Sequence, residues 1–207
     1  MIEIIENLFQ LIVTGSCGVY GVYRSFFSNR REWLLAGLFS FAFFSGDLYW
    51  SLYILFLGET PQISYVSEFS WYASYIFLII LLQVTSSTEQ RSKKNRVLWI
   101  APIFVTAMCV YFMTMGDYVS NLITAVLMGI ILYLSLQGII YYKDNNNCKK
   151  YISHAAFAFC VIEYALWILS ALWIGGDTAL NPYYWCDILL SISIIMVLFA
   201  VRKAVKE

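Results

Sequence analysis

The chain has 207 residues, of which AVILMFWYC make up 61% and charged residues only 13%. A soluble domain of this length carries roughly 25% charged residues to keep its surface wet. Most of this surface must therefore face something other than water, and lipid is the simplest candidate. Formal net charge is zero, so the placement of charge is informative where its sum is not.

In chain order, apolar runs between polar breaks predict seven spans, because a helix needs about 20 apolar residues to cross a bilayer core of roughly 30 Å. They cover approximately residues 4–25, 33–57, 63–86, 97–115, 118–142, 151–174 and 181–201. The breaks read SNRREW, GETPQ, SSTEQRSKKNR, a tight MGDY turn, KDNNNCKK and GGDTALNP. The opening MIEIIENLFQ is acidic where a cleavable signal is basic, so the first span is expected to be retained as a signal anchor. The expected fold is all-α integral membrane, a single transmembrane domain over 1–207.

Lys and Arg set the expected orientation. Arg24, Arg30 and Arg31 follow the first span, and Arg91, Lys93, Lys94 and Arg96 follow the third. Lys143, Lys149 and Lys150 follow the fifth, and Arg202, Lys203 and Lys206 close the chain. These are all 13 basic residues, and alternation over seven spans puts them on one side. The opposite segments carry only acids: Glu3, Glu6, Glu59, Asp117 and Asp177. The positive-inside rule then places the N-terminus outside and the C-terminus in the cytoplasm, as a multi-pass protein of the cytoplasmic membrane.

Two parts of the chain share an ordered set of features. Asp47, Trp50, a Gly58-Glu59-Thr60 turn, Pro61, Glu68 and Trp71 occur in spans 2 and 3. Glu163, Trp167, a Gly176-Asp177-Thr178 turn, Pro182, Trp185 and Asp187 occur in spans 6 and 7. This pattern suggests a 3+1+3 arrangement, with repeats over 1–87 and 118–207 and a connector helix over 97–115. One connecting helix gives both triplets the same orientation, hence parallel repeats. Chance is the competing explanation, since Gly, acids, Thr and Pro are ordinary turn residues.

Four acids fall within apolar spans: Asp47, Glu68, Glu163 and Asp187. A carboxylate at a bilayer centre costs on the order of 2.5–3.5 kcal/mol even on the lenient insertion scale. Asp47 stands 14 residues beyond Trp33, about 21 Å of helix rise, and Glu163 stands 12 residues beyond Tyr151. Both are deep, whereas Glu68 and Asp187 are expected nearer the outer leaflet. No Lys or Arg is available at that depth, leaving protonation, hydrogen bonds from Tyr, Trp or Ser, or a bound cation to relieve the charge. Helical spacing supplies neighbours: Glu68, Trp71, Tyr72 and Tyr75 share one face, Trp50 follows Asp47 at i+3, and Trp167 follows Glu163 at i+4. Tyr183, Tyr184 and Ser191 flank Asp187 within one turn. Carboxylates amid aromatic faces suit a cationic or ring-bearing ligand. The candidate ligand-binding residues are therefore Asp47, Trp50, Glu68, Trp71, Tyr72, Tyr75, Glu163, Trp167 and Asp187.

Plainer explanations compete. Trp71, Tyr72, Tyr183, Tyr184 and Trp185 also fit an interfacial aromatic belt, and Glu68 and Asp187 fit carboxylates reaching headgroups. Asp47 and Glu163 also fit protonated carboxyls that bond a neighbouring helix. His154, the only histidine, reads as a solvated interfacial side chain rather than a proton relay. Cys17, Cys109, Cys148, Cys160 and Cys186 contain no C-x-x-C pair, so neither a disulfide framework nor a metal site is expected. Gly15, Gly18 and Gly21 read as a close-packing stripe, and neither a P-loop nor a dinucleotide fingerprint is present.

Seven helices with the N-terminus outside invite comparison with rhodopsins, but retinal needs a lysine within the membrane. The last span, NPYYWCDILLSISIIMVLFAVRK, has none before its cytoplasmic end. Retinal is excluded on that ground, and no cofactor is expected. The stretch GDLYWSLYILFLGETPQISYVSEFSWYASYIFL, with Asp47, Trp50, Pro61, Glu68, Tyr72 and Tyr75, resembles the multi-helix membrane sensor regions of bacterial diguanylate cyclase-type signalling proteins. The resemblance implies a ligand sensor, and with no output module after the last helix it would signal to a separate protein.

Three function classes are expected, in descending order. The first is a transporter of a small polar or cationic solute, proton-linked through Asp47 and Glu163. The second is a sensor using the same pocket. The third is a lipid-active enzyme, placed last because no nucleophile or metal constellation is visible. Expected partners are the lipid bilayer, a small-molecule ligand, and a cytoplasmic protein or a second copy of the chain. The basic clusters are too small to imply nucleic acid.

Overall fold

The apolar runs fold as helices whose ends are set by local chemistry at each polar break. The computed structural model describes residues 2–59, 61, 64–143, 147–172, 176 and 178–205, and among these there is no strand. Helices α1 (Ile2–Ser28) and α2 (Arg31–Leu57) are joined by a turn in which Asn29 adopts φ 49°, a left-handed conformation that Asn tolerates better than most residues. Gly58, at φ 72°, ends α2 and donates its N–H to the Ile54 carbonyl at 2.9 Å. This is the usual glycine solution to the orphan carbonyls of a helix end.

After α3 (Tyr65–Thr85) comes a short helix, α4 (Thr88–Ser92), and a 3₁₀ turn (Arg96–Trp99) that leads into α5 (Ile100–Met113). Gly116 (φ 105°) and Asp117 (φ 48°) turn the chain into α6 (Tyr118–Tyr141), and Asn121 Nδ2 braces that turn by donating to the Gly116 carbonyl at 2.6 Å. Helices α7 (Lys150–Leu172) and α8 (Pro182–Val205) complete the chain. Pro182 opens α8, where a missing N–H costs nothing.

Seven helices are long and apolar enough to cross a membrane: 2–28, 31–57, 65–85, 96–113, 118–141, 150–172 and 182–205. The expected breaks hold, with one correction. SSTEQRSKKNR is not plain loop, because it contains α4. The Ser87 hydroxyl caps that helix by accepting the Gln90 N–H at 3.1 Å. Tyr141 Oη donates to Glu89 at 2.8 Å and Gln137 Nε2 to the Arg91 carbonyl at 3.3 Å, tying α4 to α6. Thr60 and Asp177 of the two Gly-acid-Thr turns, and Lys206, lie outside the described residues.

Burial runs opposite to that of a soluble domain. Large apolar side chains are exposed on all seven long helices, among them Phe26, Leu55, Phe69, Ile103, Val119, Val161 and Phe199. Meanwhile Ser40, Ser67, Ser74, Ser135, Ser191 and Ser193 are fully buried. A water-soluble monomer does not carry apolar surface of that extent. This is the surface of a multi-pass membrane protein.

Packing closes six of the long helices into a ring. In order around it, α1 packs on α2, α2 on α3, α3 on α6, α6 on α7, α7 on α8, and α8 on α1. Across the ring, α2 also meets α8, and α3 meets α7. Helix α5 stands outside, its backbone packed on α6 while Phe104 and Phe112 set their rings against Tyr164 and Trp167 of α7.

The glycine stripe of α1 faces α2, as a close-packing stripe should. Gly15 lies against Phe44, Gly18 against Phe41, and Gly21 against the backbone of Gly37. A Cβ at Gly21 would stand 2.6 Å from Gly37 Cα and 2.8 Å from its nitrogen, so only a separation of the two helices could admit it. Gly21→Ala should therefore destabilise the protein by about 1–3 kcal/mol, the usual cost of overpacking. At Gly15 an added Cβ meets only the Phe44 ring, at 3.2 Å, and Gly15→Ala should cost much less. Melting temperatures of the two variants in detergent check this. Equal melting temperatures would show that the α1–α2 contact is not tight.

Candidate functional site: a carboxylate and tryptophan cavity

The ring holds a cavity of about 310 Å³ lined by Asp47, Glu68, Glu163 and Asp187, the four acids singled out within the apolar spans. It extends from Asn7, Ser64, Ser170 and Tyr183, at the end of the bundle opposite the Lys and Arg residues, inward to Phe43 and Glu163. Asp47, Trp50, Glu68, Trp71, Trp167 and Asp187 form the rest of the polar and aromatic wall, and neither Lys nor Arg contributes. A second cavity of about 250 Å³ adjoins it through Glu68, Trp71, Trp167 and Ser170, and is lined by Tyr72, Tyr75, Ser120, Asn121 and Thr124. All nine residues singled out from the sequence thus line one of two adjoining cavities.

Each carboxyl has different company. Trp71 Nε1 donates to Asp47 Oδ1 at 3.1 Å, while the buried Asp47 Oδ2 has no hydrogen-bond partner among the described residues. Tyr75 Oη donates to Glu163 Oε1 at 2.6 Å, and Glu163 Oε2 is likewise buried and unpartnered. Gln10 Nε2 donates to Asp187 Oδ1 at 2.6 Å, and the Glu6 carboxyl is in hydrogen-bonding reach of the same aspartate. A hydrogen bond between two carboxyls requires one shared proton. Glu68, half-buried, accepts from Ser64 Oγ at 2.8 Å and from Tyr72 Oη at 3.3 Å.

Several sequence readings are corrected here. Helix α3 supplies Trp71 to Asp47 and Tyr75 to Glu163, and Trp167, one turn along α7, is also within hydrogen-bonding reach of Glu163. Asp187 does not reach towards headgroups, being 5% exposed and held by Gln10. Glu6 is not a segment acid facing water. Helix α1 begins at Ile2, so Glu6 lies within it and is 4% exposed. Of the proposed aromatic belt, Trp185 is exposed and donates to the Ala179 carbonyl at 2.8 Å, whereas Trp71 points inward to Asp47. Asn7, Gln10 and Glu6 were the residues missed. Their signal was present, since Glu6, Gln10 and Thr14 recur at i, i+4 and i+8 on an otherwise apolar helix.

Beneath the carboxyls an aromatic cluster floors the cavity. The Phe159 ring lies 6.0 Å from Phe43, 5.3 Å from Phe39 and 6.0 Å from Tyr75. Gly46 makes room for Trp71: a Cβ there would stand 2.5 Å from the indole nitrogen. Larger grooves, about 720 Å³ between α5 and α6 and about 390 Å³ between α1 and α8, are walled mainly by aliphatic side chains and lack convergent polar groups. Such convergence is what marks a small-molecule site. His154 is exposed with Nδ1 2.7 Å from the Lys150 carbonyl. Comparison with protein-family models, curated proteins and solved structures finds no match to this chain.

Proposed function

We propose that the protein is a proton-linked transporter of a small organic cation, with its N-terminus outside and its C-terminus inside the cytoplasmic membrane. The observation that carries this reading is the pair of buried, unpartnered carboxylate oxygens, Asp47 Oδ2 and Glu163 Oε2, in a tryptophan-lined cavity without Lys or Arg. A buried carboxylate needs a compensating charge, and a cation resting against Trp faces supplies it. The placement of every described Lys and Arg at one end of the bundle supports the orientation.

We read α1–α3 and α6–α8 as two repeats, and that reading supports transport rather than mere binding. Exchanging α1, α2 and α3 for α6, α7 and α8 maps the helix contacts onto themselves: α1–α8 becomes α6–α3, and α2–α8 becomes α7–α3. Phe41-Ala42-Phe43 precedes Asp47 with the same spacing as Phe157-Ala158-Phe159 precedes Glu163. The buried positions follow that register, with Ala36, Phe39 and Ser40 matching Ile152, Ala155 and Ala156. Phe43 and Phe159 touch, as equivalent residues beside a twofold axis would. Helix α5, outside the ring, takes the place of the connector between parallel repeats.

Three hydrogen bonds join the two triplets at the site: Gln10 to Asp187, Tyr75 to Glu163, and Tyr72 with Ser120. A cation binding at Glu163 competes with the second of these, so ligand occupancy biases how one triplet sits against the other. That differential interaction is what alternating access requires. We read the Glu6 and Asp187 carboxyls, within hydrogen-bonding reach of each other, as the place where the proton is carried.

The test is uptake of radiolabelled 1-aminobutane and 1,4-diaminobutane into proteoliposomes under an imposed pH gradient. Saturable uptake above protein-free vesicles, abolished by a protonophore, is expected. Binding without flux would replace the transporter with the sensor reading. Release of a product from the vesicle lipid would instead favour the enzyme.

A further inference from the structure

Within the proposed cation site, the structure separates charge that is already compensated from charge that is not. Asp187 accepts the Gln10 amide, and the Glu6 carboxyl is within hydrogen-bonding reach of it. Glu68 is half-buried and accepts from two hydroxyls. Glu6 has an unpartnered oxygen too, but it does not line the cavity. Two carboxylate oxygens remain that are buried, unpartnered and on residues of the cavity wall: Asp47 Oδ2 and Glu163 Oε2. Asp47 is 4% exposed and Glu163 3%.

Asp47 is on α2 and Glu163 on α7, helices that are not neighbours in the ring, and both line the cavity. Each has its second oxygen occupied by an aromatic donor from α3, Trp71 or Tyr75. Among the described residues, no grouping of His, Cys, Asp and Glu is suited to holding a metal ion. Phe43, Trp71 and Trp167 line the same cavity, apolar faces that suit methylenes rather than a hydrated ion. A volume of about 310 Å³ corresponds to roughly ten waters, enough for a short chain and too little for a lipid.

We propose that the ligand is a linear dication of the α,ω-diamine class, one ammonium on Asp47 and the other on Glu163, with its methylenes against the indoles. This rests on the cation reading of the site and names its substrate class. The two acids are the equivalent positions of the two triplets, so the ligand carries the same group at both ends.

The test measures binding to the purified full-length protein in detergent by calorimetry. It compares α,ω-diaminoalkanes of four to eight carbons with the 1-aminoalkanes of matching length. At one chain length the diamine is expected to bind about 100-fold or more tighter than its monoamine, within what the coupling of a second close charge pair gives. Asp47→Asn and Glu163→Gln should each reduce diamine affinity to the wild-type monoamine level. Equal wild-type affinities for diamine and monoamine overturn the dication while leaving the cation site standing. Absence of binding by any amine overturns the cation site itself. The wild-type comparison decides both points even if either variant fails to fold.

Discussion

Glu163→Gln should lower amine uptake at limiting concentration by about 100-fold or more, while the variant melts within a few degrees of the wild type. The two effects separate because Gln keeps the shape of Glu and loses its charge. Its carbonyl still accepts the Tyr75 hydroxyl, which now bonds Glu163 Oε1 at 2.6 Å. What disappears is the carboxylate of a cavity-lining residue whose Oε2 is buried and unpartnered. Removing one partner of a buried ion pair costs roughly 3–5 kcal/mol, equivalent to two to three orders of magnitude in affinity. Glu163→Ala should behave differently. It leaves the fully buried Tyr75 without an acceptor, at about 1–3 kcal/mol, and opens a void besides. Uptake and melting temperature measured on both variants check the argument. Normal uptake by the Gln variant would sink the charge-based mechanism and return Glu163 to a structural role.

How far the sequence leads depends on the range of the interaction. Seven spans are legible because each apolar run is long enough on its own and each break has a local cause, such as Gly58 closing α2 or the Gly116-Asp117 turn before α6. Asp47 and Glu163 are legible for the same reason, as isolated acids in apolar runs. Their partners are not, because Trp71 and Tyr75 reach them from α3, and which helices adjoin is decided by packing. Glu6 is hidden by its position near the start of α1, where an acid looks like part of a solvated end. The short α4 is hidden by polarity: it is held by the Ser87 cap and by bonds to α6, not by an apolar stripe. Trp50 and Trp167 fall at different distances from their acids, so tryptophans and turn residues do not align α2 with α7. The burial of the two helices matches when their Phe-Ala-Phe segments are superposed instead.

Gly46→Ala should damage the site as severely as loss of a carboxylate, although it adds only a methyl group and no charge changes. Gly46 precedes Asp47, and the space above its Cα is occupied by the Trp71 indole. An added Cβ would lie 2.5 Å from Nε1, 2.8 Å from Cδ1 and 3.0 Å from the Ser67 carbonyl. The Ser67 carbonyl belongs to the α3 backbone and cannot yield, so the indole must turn away. Turning removes the hydrogen bond to Asp47 Oδ1 and leaves both oxygens of a buried carboxyl without a donor. It also disturbs the contacts of Trp71 with Trp50 at 6.2 Å and Phe43 at 6.4 Å, which shape the cavity wall. Loss of a hydrogen bond to a charged group is worth about 1.5–3 kcal/mol, or roughly 10- to 100-fold in amine affinity. Trp71→Phe tests the cause independently, since it removes the N–H without adding bulk at residue 46. If the indole hydrogen bond is what Gly46 protects, Gly46→Ala and Trp71→Phe should weaken amine binding to a similar degree. The double variant should then be little worse than either alone, because both changes remove the same interaction. Additive losses would mean that Gly46 acts through the spacing of α2 and α3 rather than through Trp71.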